Sequence, residues 1–509
     1  MPAISPSTEP GGLEEALPGR RDVDDAGLRA RTARGTIVNA VFLIALYTLG
    51  LLKGFVVAAL LTANDYGIWG IVMVGLGAVA WLRTVGVNDK YIQQDEADQE
   101  LAFQKAFTLE LLFTTLFIVA AIAAVPLIAL AYGQDKVVVP ALVAIAAFPA
   151  MVFQSPLWVF YRRMEFVRQR KLQAVDPIVS FVATMVLALA GAGYWSLIIG
   201  FVAGTWAAAI AAVRASPYRL SLRYDRGTMR EYFAFSWPLA VASLSGVVIA
   251  QVAVLTGSRV LGLAGAGAIT LASSIAAYAD RVDEILTTTL YPAICAVQHR
   301  IDLLMESFVK SNRLALMWGM PFGIAVALFT PDVVQFVLGD RWRPAETLIQ
   351  AFGLIAAVNH IGFNWSAYYR ARGQTRPIAV VNAAMSVTFA ASAIPLLIVD
   401  GLEGLAIGMA LMCLVGLCGR FFYLTQLFPG FALARHIARA IAPSVPPVIA
   451  VLAVRAVEGA HRRPLQAVGE VVLYLVVTAL STFLLERVLL REVIGYLRGT
   501  AGREPGVAA

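Results

Sequence analysis

Residues 104–132 read QKAFTLELLFTTLFIVAAIAAVPLIALAY. After Glu110 the next 22 residues carry no charge, and about 20 apolar residues in a helix suffice to cross a hydrocarbon core of about 30 Å. Thirteen more stretches of the same kind surround it. The apolar runs predict helices over 36–61, 66–87, 104–132, 137–160, 172–191, 193–214 and 232–257, then over 264–290, 306–330, 345–369, 375–399, 402–425, 437–457 and 466–487. Of the 509 residues 59% are hydrophobic and 14% charged, with a mean hydropathy of +0.74, outside the range of soluble domains. The expected fold class is all-α: a polytopic integral membrane protein of about 14 transmembrane helices.

Charge sets the orientation. Loops assigned to one face hold 31 of the 40 Lys and Arg, those on the other hold 7, and Lys53 and Arg281 fall within spans. The positive-inside rule then places both termini in the cytoplasm. Residues 1–34, rich in Pro, Gly and charge, read as a disordered cytoplasmic tail without a cleavable signal peptide, and 488–509 as a cytoplasmic C-tail. A pI near 9.3 is explained by loops against anionic lipid rather than by nucleic acid. Cys295, Cys413 and Cys418 show no ligand spacing, so no metal, cofactor or disulfide is expected.

A duplication of period near 200 is visible in the loops. DYGIWG (65–70) and LGLAGAG (261–267) each follow a short outer turn, and GAGYWSLIIG (191–200) matches GLEGLAIG (401–408). We expect an N-terminal six-helix bundle over 36–214, a second over 232–425, and two additional helices over 437–487. Aligning Gly67 with Gly265 pairs Arg83 with Arg281 and Lys53 with Gln251, a symmetric cationic ring; aligning Gly67 with Gly267 pairs Arg83 with Asp283 instead.

DYGIWG, VNDKYIQQ (87–94), PLWVFYRRMEF (156–166), GAGYWSL, YPAICAVQ (291–298) and VLGDRW (337–342), in this order, resemble the polysaccharide transporter branch of the multidrug/oligosaccharidyl-lipid/polysaccharide flippase superfamily, the bacterial Wzx-like exporters. The resemblance runs from about residue 36 to 430. It implies an inner-membrane protein with two six-helix bundles around a central cavity, which flips an undecaprenyl-diphosphate-linked oligosaccharide to the outer leaflet during lipopolysaccharide, capsule or exopolysaccharide synthesis. Partners would be that lipid, the bilayer, H+ or Na+, and the polysaccharide synthesis machinery.

Ionisable groups inside a bilayer are costly, so function concentrates there. A diphosphate head group asks for cations facing a water-filled cavity: Lys53, Arg83 and Arg281 are the candidates, against snorkelling as the bland account of the two arginines. Carboxylates suit cation coupling, with Glu110, Asp283 and Glu284 as candidates; an Arg281–Glu284 pair at i, i+3 is the structural alternative. Gln251, Asn359, His360 and Asn364 add polar groups. The cluster WVFYRRMEFVRQRK (158–171) reads mainly as an interfacial belt.

Two other functions compete. A drug or cation antiporter of the same superfamily would want a cavity of carboxylates and aromatics. A membrane polymerase or glycosyltransferase would need a sizeable extramembrane domain, and DVDD (22–25) alone does not make one.

Overall fold

The computed structural model describes residues 48–80, 87–94, 96–163, 165–232, 244–283, 298–458 and 463–491, with a few single residues besides. Among them there is helix and no strand, as lipid demands: a backbone without water must satisfy its own hydrogen bonds. In chain order the helices are α1 (Thr48–Leu60), α2 (Ala63–Ala80), α3 (Val87–Gln93), α4 (Gln99–Tyr132), α5 (Val138–Ile145), α6 (Ala147–Val152), α7 (Pro156–Arg162), α8 (Phe166–Gln173), α9 (Val175–Leu189) and α10 (Trp195–Ala215). The second half continues with α11 (Leu244–Ala277), α12 (Ile301–Val333), α13 (Glu346–Asn359), α14 (Trp365–Ala371), α15 (Arg376–Thr388), α16 (Ile394–Leu427), α17 (Leu433–Ile441), α18 (Val445–Glu458) and α19 (Pro464–Leu485).

Helix α4 shows how the sequence builds a span. The Asp98 carboxylate accepts from the amides of Glu100 (3.1 Å) and Leu101 (3.0 Å), capping the first turn. Phe117, Ala121, Val125 and Ala129, four residues apart, are buried against protein, while Leu116, Val119, Leu127 and Leu130 are exposed. In a chain this apolar the exposed stripe is the lipid face.

Nine helical segments among the described residues are long and apolar enough to cross a membrane. The chain is an integral membrane protein. The count falls short of fourteen for local reasons. Helices α1 and α13 are short, and the stretches 81–86 and 233–243 lie outside the described residues. Elsewhere two expected spans run into one continuous segment. Gly262 (φ 71°) and Gly401 (φ 63°) interrupt α11 and α16 with backbone angles that an L side chain resists. At each the chain folds back: Gly257 approaches Gly265 and Ile269, and Gly404 lies on Leu396. These are the two turns read from LGLAGAG and GLEGLAIG.

Contacts between the halves decide the register of the duplication. A Cβ on Gly67 would lie 2.0 Å from the Leu263 carbonyl oxygen, and a Cβ on Gly267 would lie 1.9 Å from that of Ala63. The two contacts are reciprocal, and their partners correspond when 200 is added to each number. Such reciprocity is the signature of a two-fold relation, and glycine permits the close backbone approach that apolar helices use in place of a hydrophobic driving force. Gly67 therefore corresponds to Gly267 and Arg83 to Asp283. Arg83, one member of the expected cationic ring, lies outside the described residues.

The same end of the molecule carries further ties between the halves. Trp342 donates its indole N–H to the Ala58 carbonyl at 2.9 Å and stands edge-on to Tyr66. Arg341 bonds the Ala59 carbonyl, Arg259 that of Ala131 at 2.6 Å, and Ser258 that of Tyr132 at 3.0 Å. Turns 61–62, 133–134 and 262 mark this end.

The last two long helices are fastened to α12 by buried ions. Arg455 of α18 reaches Asp332 (2.9 Å) of α12 and Glu470 (2.8 Å) of α19, and Arg313 of α12 pairs with Glu486 just past α19. Arg313 and Arg455, assigned to loops by the sequence reading, therefore lie against neighbouring helices.

Candidate translocation site

In both halves the fourth span is broken, and the polar groups gather at the breaks. The expected helix 137–160 is interrupted at 153–155, between Pro149 and Pro156, and 345–369 is interrupted at 360–364, where Gly362 has φ 73°. Through each break the chain turns by i to i+3 hydrogen bonds, as in Ser155 to Val152 (3.1 Å) and Ile361 to Val358 (3.0 Å).

In the first half, α9 turns a polar stripe inward. Asp176, Ser180 and Thr184 follow one another at intervals of four, and Gly200 and Gly204 of α10 lie against them. Lys53 of α1 donates its ammonium to Ser180 Oγ at 2.6 Å, with Asp176 as its electrostatic neighbour. Asp176 also lines a cavity of about 450 Å³ between the break in span four, Glu110 of α4, and Gln169 and Gln173 of α8. Glu110 is buried and lines it.

In the second half the break is filled instead. Arg420 of α16 donates from one nitrogen to the carbonyls of Asn359 (2.5 Å) and Ile361 (2.8 Å). Asn312 of α12 donates to the carbonyl between them, that of His360 (2.7 Å), while its own oxygen accepts from the Gly362 amide (3.1 Å) and contacts His436 Nε2 (2.6 Å). These are the carbonyls a broken helix frees, and inside a membrane they must be paired.

His360 is fully buried there, its ring lying over Gly319. Nδ1 is 2.6 Å from the Ala356 carbonyl and Nε2 is 3.0 Å from that of Ala279, at a second break where α11 gives way to the turns 278–280. Nε2 is also 3.4 Å from Asp283 Oδ2. Both ring nitrogens thus face acceptors only. Oxygens of Asp280 and Asp283 and a ring nitrogen of His360 lie within 4.8 Å of one another, and Asp283 Oδ1 is buried without a hydrogen-bond partner. The two carboxylates, held beside His360 where two helices break, offer oxygens suited to a small cation.

The residues singled out from sequence therefore separate into two groups. Lys53 and Glu110 belong to the first half, and Asp283, Asn359, His360 and Asn364 to the second. Asn359 accepts from Cys413 at 3.5 Å and Asn364 donates to Ser311 at 2.9 Å. Gln251 ties the halves, accepting from Tyr132 at 2.9 Å and donating to Val74. Arg281 is exposed beside Asp280 and Tyr278. Arg83 and Glu284 lie outside the described residues, so the Arg281–Glu284 pair does too.

In the cluster 158–171, Arg162 bonds the Ile92 carbonyl (2.6 Å) and Arg163 the Tyr218 hydroxyl (2.9 Å). These arginines fasten neighbouring segments. Cys413 and Cys418 are free thiols.

Sequence reasoning missed Asp176, Ser180, Asn312 and Arg420. For α9 a signal exists, since polar residues at every fourth position of an apolar helix mark a protein-facing stripe. Arg420 was counted with the loop 420–439 because a charge near a helix end reads as topology.

Residues 56–347, more than half of the chain, match the polysaccharide biosynthesis protein family. The chain belongs to that family. The lipopolysaccharide biosynthesis protein WzxC of Escherichia coli (strain K12) is 21% identical over 403 residues, 75% of this chain and 78% of the relative. Among solved structures, the lipid II flippase MurJ in an inward closed conformation is similar with a TM-score of 0.67 at 12% identity, covering 89% of this chain and 100% of that one. An inward-facing multidrug resistance MATE transporter of the MOP superfamily follows with 0.62 at 14%, covering 77% and 95%. At such identities the structures speak for the fold alone, and that fold is the one the resemblance implied. In this member of the polysaccharide biosynthesis family the matched region includes Glu110, Asp176, Asp280 and Asp283, while His360 and Arg420 lie beyond it.

Proposed function

We propose that this protein is a flippase that carries an undecaprenyl-diphosphate-linked oligosaccharide across the bacterial inner membrane, from the cytoplasmic to the outer leaflet, for surface polysaccharide synthesis. The observation that carries the reading is the reciprocal contact of Gly67 and Gly267. Two equivalent halves are pressed together at the outer end, the arrangement from which rocking about that contact gives alternating access. Membership of the polysaccharide biosynthesis family and similarity to WzxC support the cargo class. Both termini are cytoplasmic, 36–214 and 232–425 act as the two moving bundles, and 437–487 travels with the second through Arg455 and Arg313.

No bond of the cargo is broken, so the protein is a transporter and not an enzyme. Lys53, with Arg83 and Arg281 in the wider path, attracts the diphosphate. Asp280 and Asp283, positioned by His360, carry the coupling cation, whose binding at two broken helices biases the second bundle between its states.

The test is mass spectrometry of lipid-linked oligosaccharides in cells depleted of the protein, with an outside-acting enzyme reporting leaflet. A defined intermediate trapped on the cytoplasmic side, released by wild type but not by Lys53→Ala or Asp283→Asn, is the expected result. One observation favours a second reading: Glu110 and Asp176 stand in one cavity with Trp158 and Tyr161, which suits an organic cation. If depletion traps no lipid intermediate and only sensitises cells to cationic drugs, the antiporter reading takes over.

A further inference from the structure

The first-half cavity has a lining that the diphosphate does not explain. Among its described lining residues there is no Lys or Arg, and Glu110 and Asp176 supply carboxylates, with Lys53 beside Asp176. Four side-chain amides, Asn88, Gln154, Gln169 and Gln173, outnumber the carboxylates, and Trp158 and Tyr161 close one side. Its volume, about 450 Å³, lies in the range of small-ligand sites.

The amides are built in rather than scattered on a surface. Gln154 emerges at the break in span four and donates to the Thr205 carbonyl at 3.1 Å. Gln173 accepts from Arg170 at 2.7 Å, which orients its amide. Gln169 lines the cavity and is 7% exposed. A planar amide offers a donor and an acceptor side by side, the pattern of two neighbouring hydroxyls on a sugar ring, and carboxylates accept from further hydroxyls. The apolar C–H face of a pyranose packs on an aromatic face such as that of Trp158.

We propose that this cavity is a glycan subsite, which takes a neutral or N-acetylated sugar ring of the cargo through its hydroxyls while the diphosphate is held elsewhere. The proposal rests on the flippase reading for its cargo. It adds a division of labour: sugar selection in the first half by Gln169, Gln173, Glu110 and Trp158, apart from the cationic groups.

Saturation-transfer NMR on the full chain in nanodiscs tests it, with methyl glycosides of hexoses and N-acetylhexosamines, farnesyl diphosphate and tetraphenylphosphonium as probes. The expected result is a saturable glycoside signal that is lost in Gln169→Ala and Trp158→Leu, with farnesyl diphosphate binding retained in both. Gln173→Ala, at a half-buried position, serves if the first two variants do not elute as folded protein. Glycosides that fail to bind, or bind equally to all variants, overturn the proposal. So does tetraphenylphosphonium binding that the variants abolish while glycosides give no signal, which makes the cavity a cation site. Glycoside binding that persists beside farnesyl diphosphate binding insensitive to Lys53→Ala leaves the subsite standing and removes the diphosphate-flippase reading.

Discussion

The fourth span breaks in both halves, yet the two breaks are used in opposite ways. At 153–155 the interruption opens space, and Gln154 and the facing amides of α8 line a cavity. At 360–364 the interruption is closed by Arg420 and Asn312, which pair three successive carbonyls, and His360 bridges to the second break at Ala279. The difference teaches that a duplicated scaffold keeps its backbone irregularity and changes the side chains that answer it. One copy leaves polar capacity for a ligand; the other uses it on its own backbone and leaves a carboxylate oxygen of Asp283 unpaired.

The largest expected effect follows from removing the filler. Arg420→Met strips the carbonyls of Asn359 and Ile361 of their donor, at about 1–3 kcal/mol for each buried group. Thermal unfolding in detergent, followed by intrinsic fluorescence, is expected to show a lower midpoint and a reduced folded yield. Gln154→Leu, at the corresponding break, forfeits one bond to Thr205, about 0.5–1.5 kcal/mol. Equal losses in the two variants would erase the contrast.

Next comes the glycine contact between the halves. Gly67→Ala and Gly267→Ala each place a Cβ within about 2 Å of a carbonyl oxygen, so this end of the interface is expected to open. Labelling of a cysteine introduced at Leu263 by a membrane-impermeant maleimide reads the opening. Because the two substitutions relieve one interface, their joint effect is expected to be less than the sum of the separate ones. Unchanged labelling in both variants would show that this contact does not gate access.

Asp283→Asn sharpens the functional side of the comparison. It removes a charge from a group with an unpaired oxygen and keeps its shape, so the unfolding midpoint stays near wild type while translocation of the lipid-linked oligosaccharide falls to background. A variant that transports normally would take the coupling role away from the second half.

The stability effect expected at Lys53 is also small. One hydrogen bond to Ser180 and a half-buried ammonium put Lys53→Met at about 0.5–1.5 kcal/mol in stability, below Arg420→Met by the same unfolding assay. Its transport defect would exceed its stability defect, and the reverse order would make Lys53 a packing residue.

Much of the architecture was legible because it rests on transfer from water to lipid, a property of composition over about 20 residues. The apolar run 104–132 became α4, and the Gly-rich turns at 262 and 401 became the two reversals. Less of the site was legible. Lys53 looked like an isolated cation because its partner Ser180 is 127 positions away. Arg420 looked like a loop charge because proximity in sequence to a helix end does not say which way a guanidinium turns. The amides of the first-half cavity attracted no notice, since uncharged polar residues carry little topological signal.

Hydropathy and charge by themselves determined that the chain lives in a membrane and that it is helical. Those conclusions depend on local composition, and solvent acts on each segment separately. Only the tertiary structure decided the register of the repeat, through the reciprocal contacts of Gly67 with Leu263 and Gly267 with Ala63, and only it brought Asp280, Asp283, His360 and Arg420 to one place. Such pairings depend on which helix faces meet, and contact geometry between distant segments is set by packing of the whole chain rather than by any stretch of it.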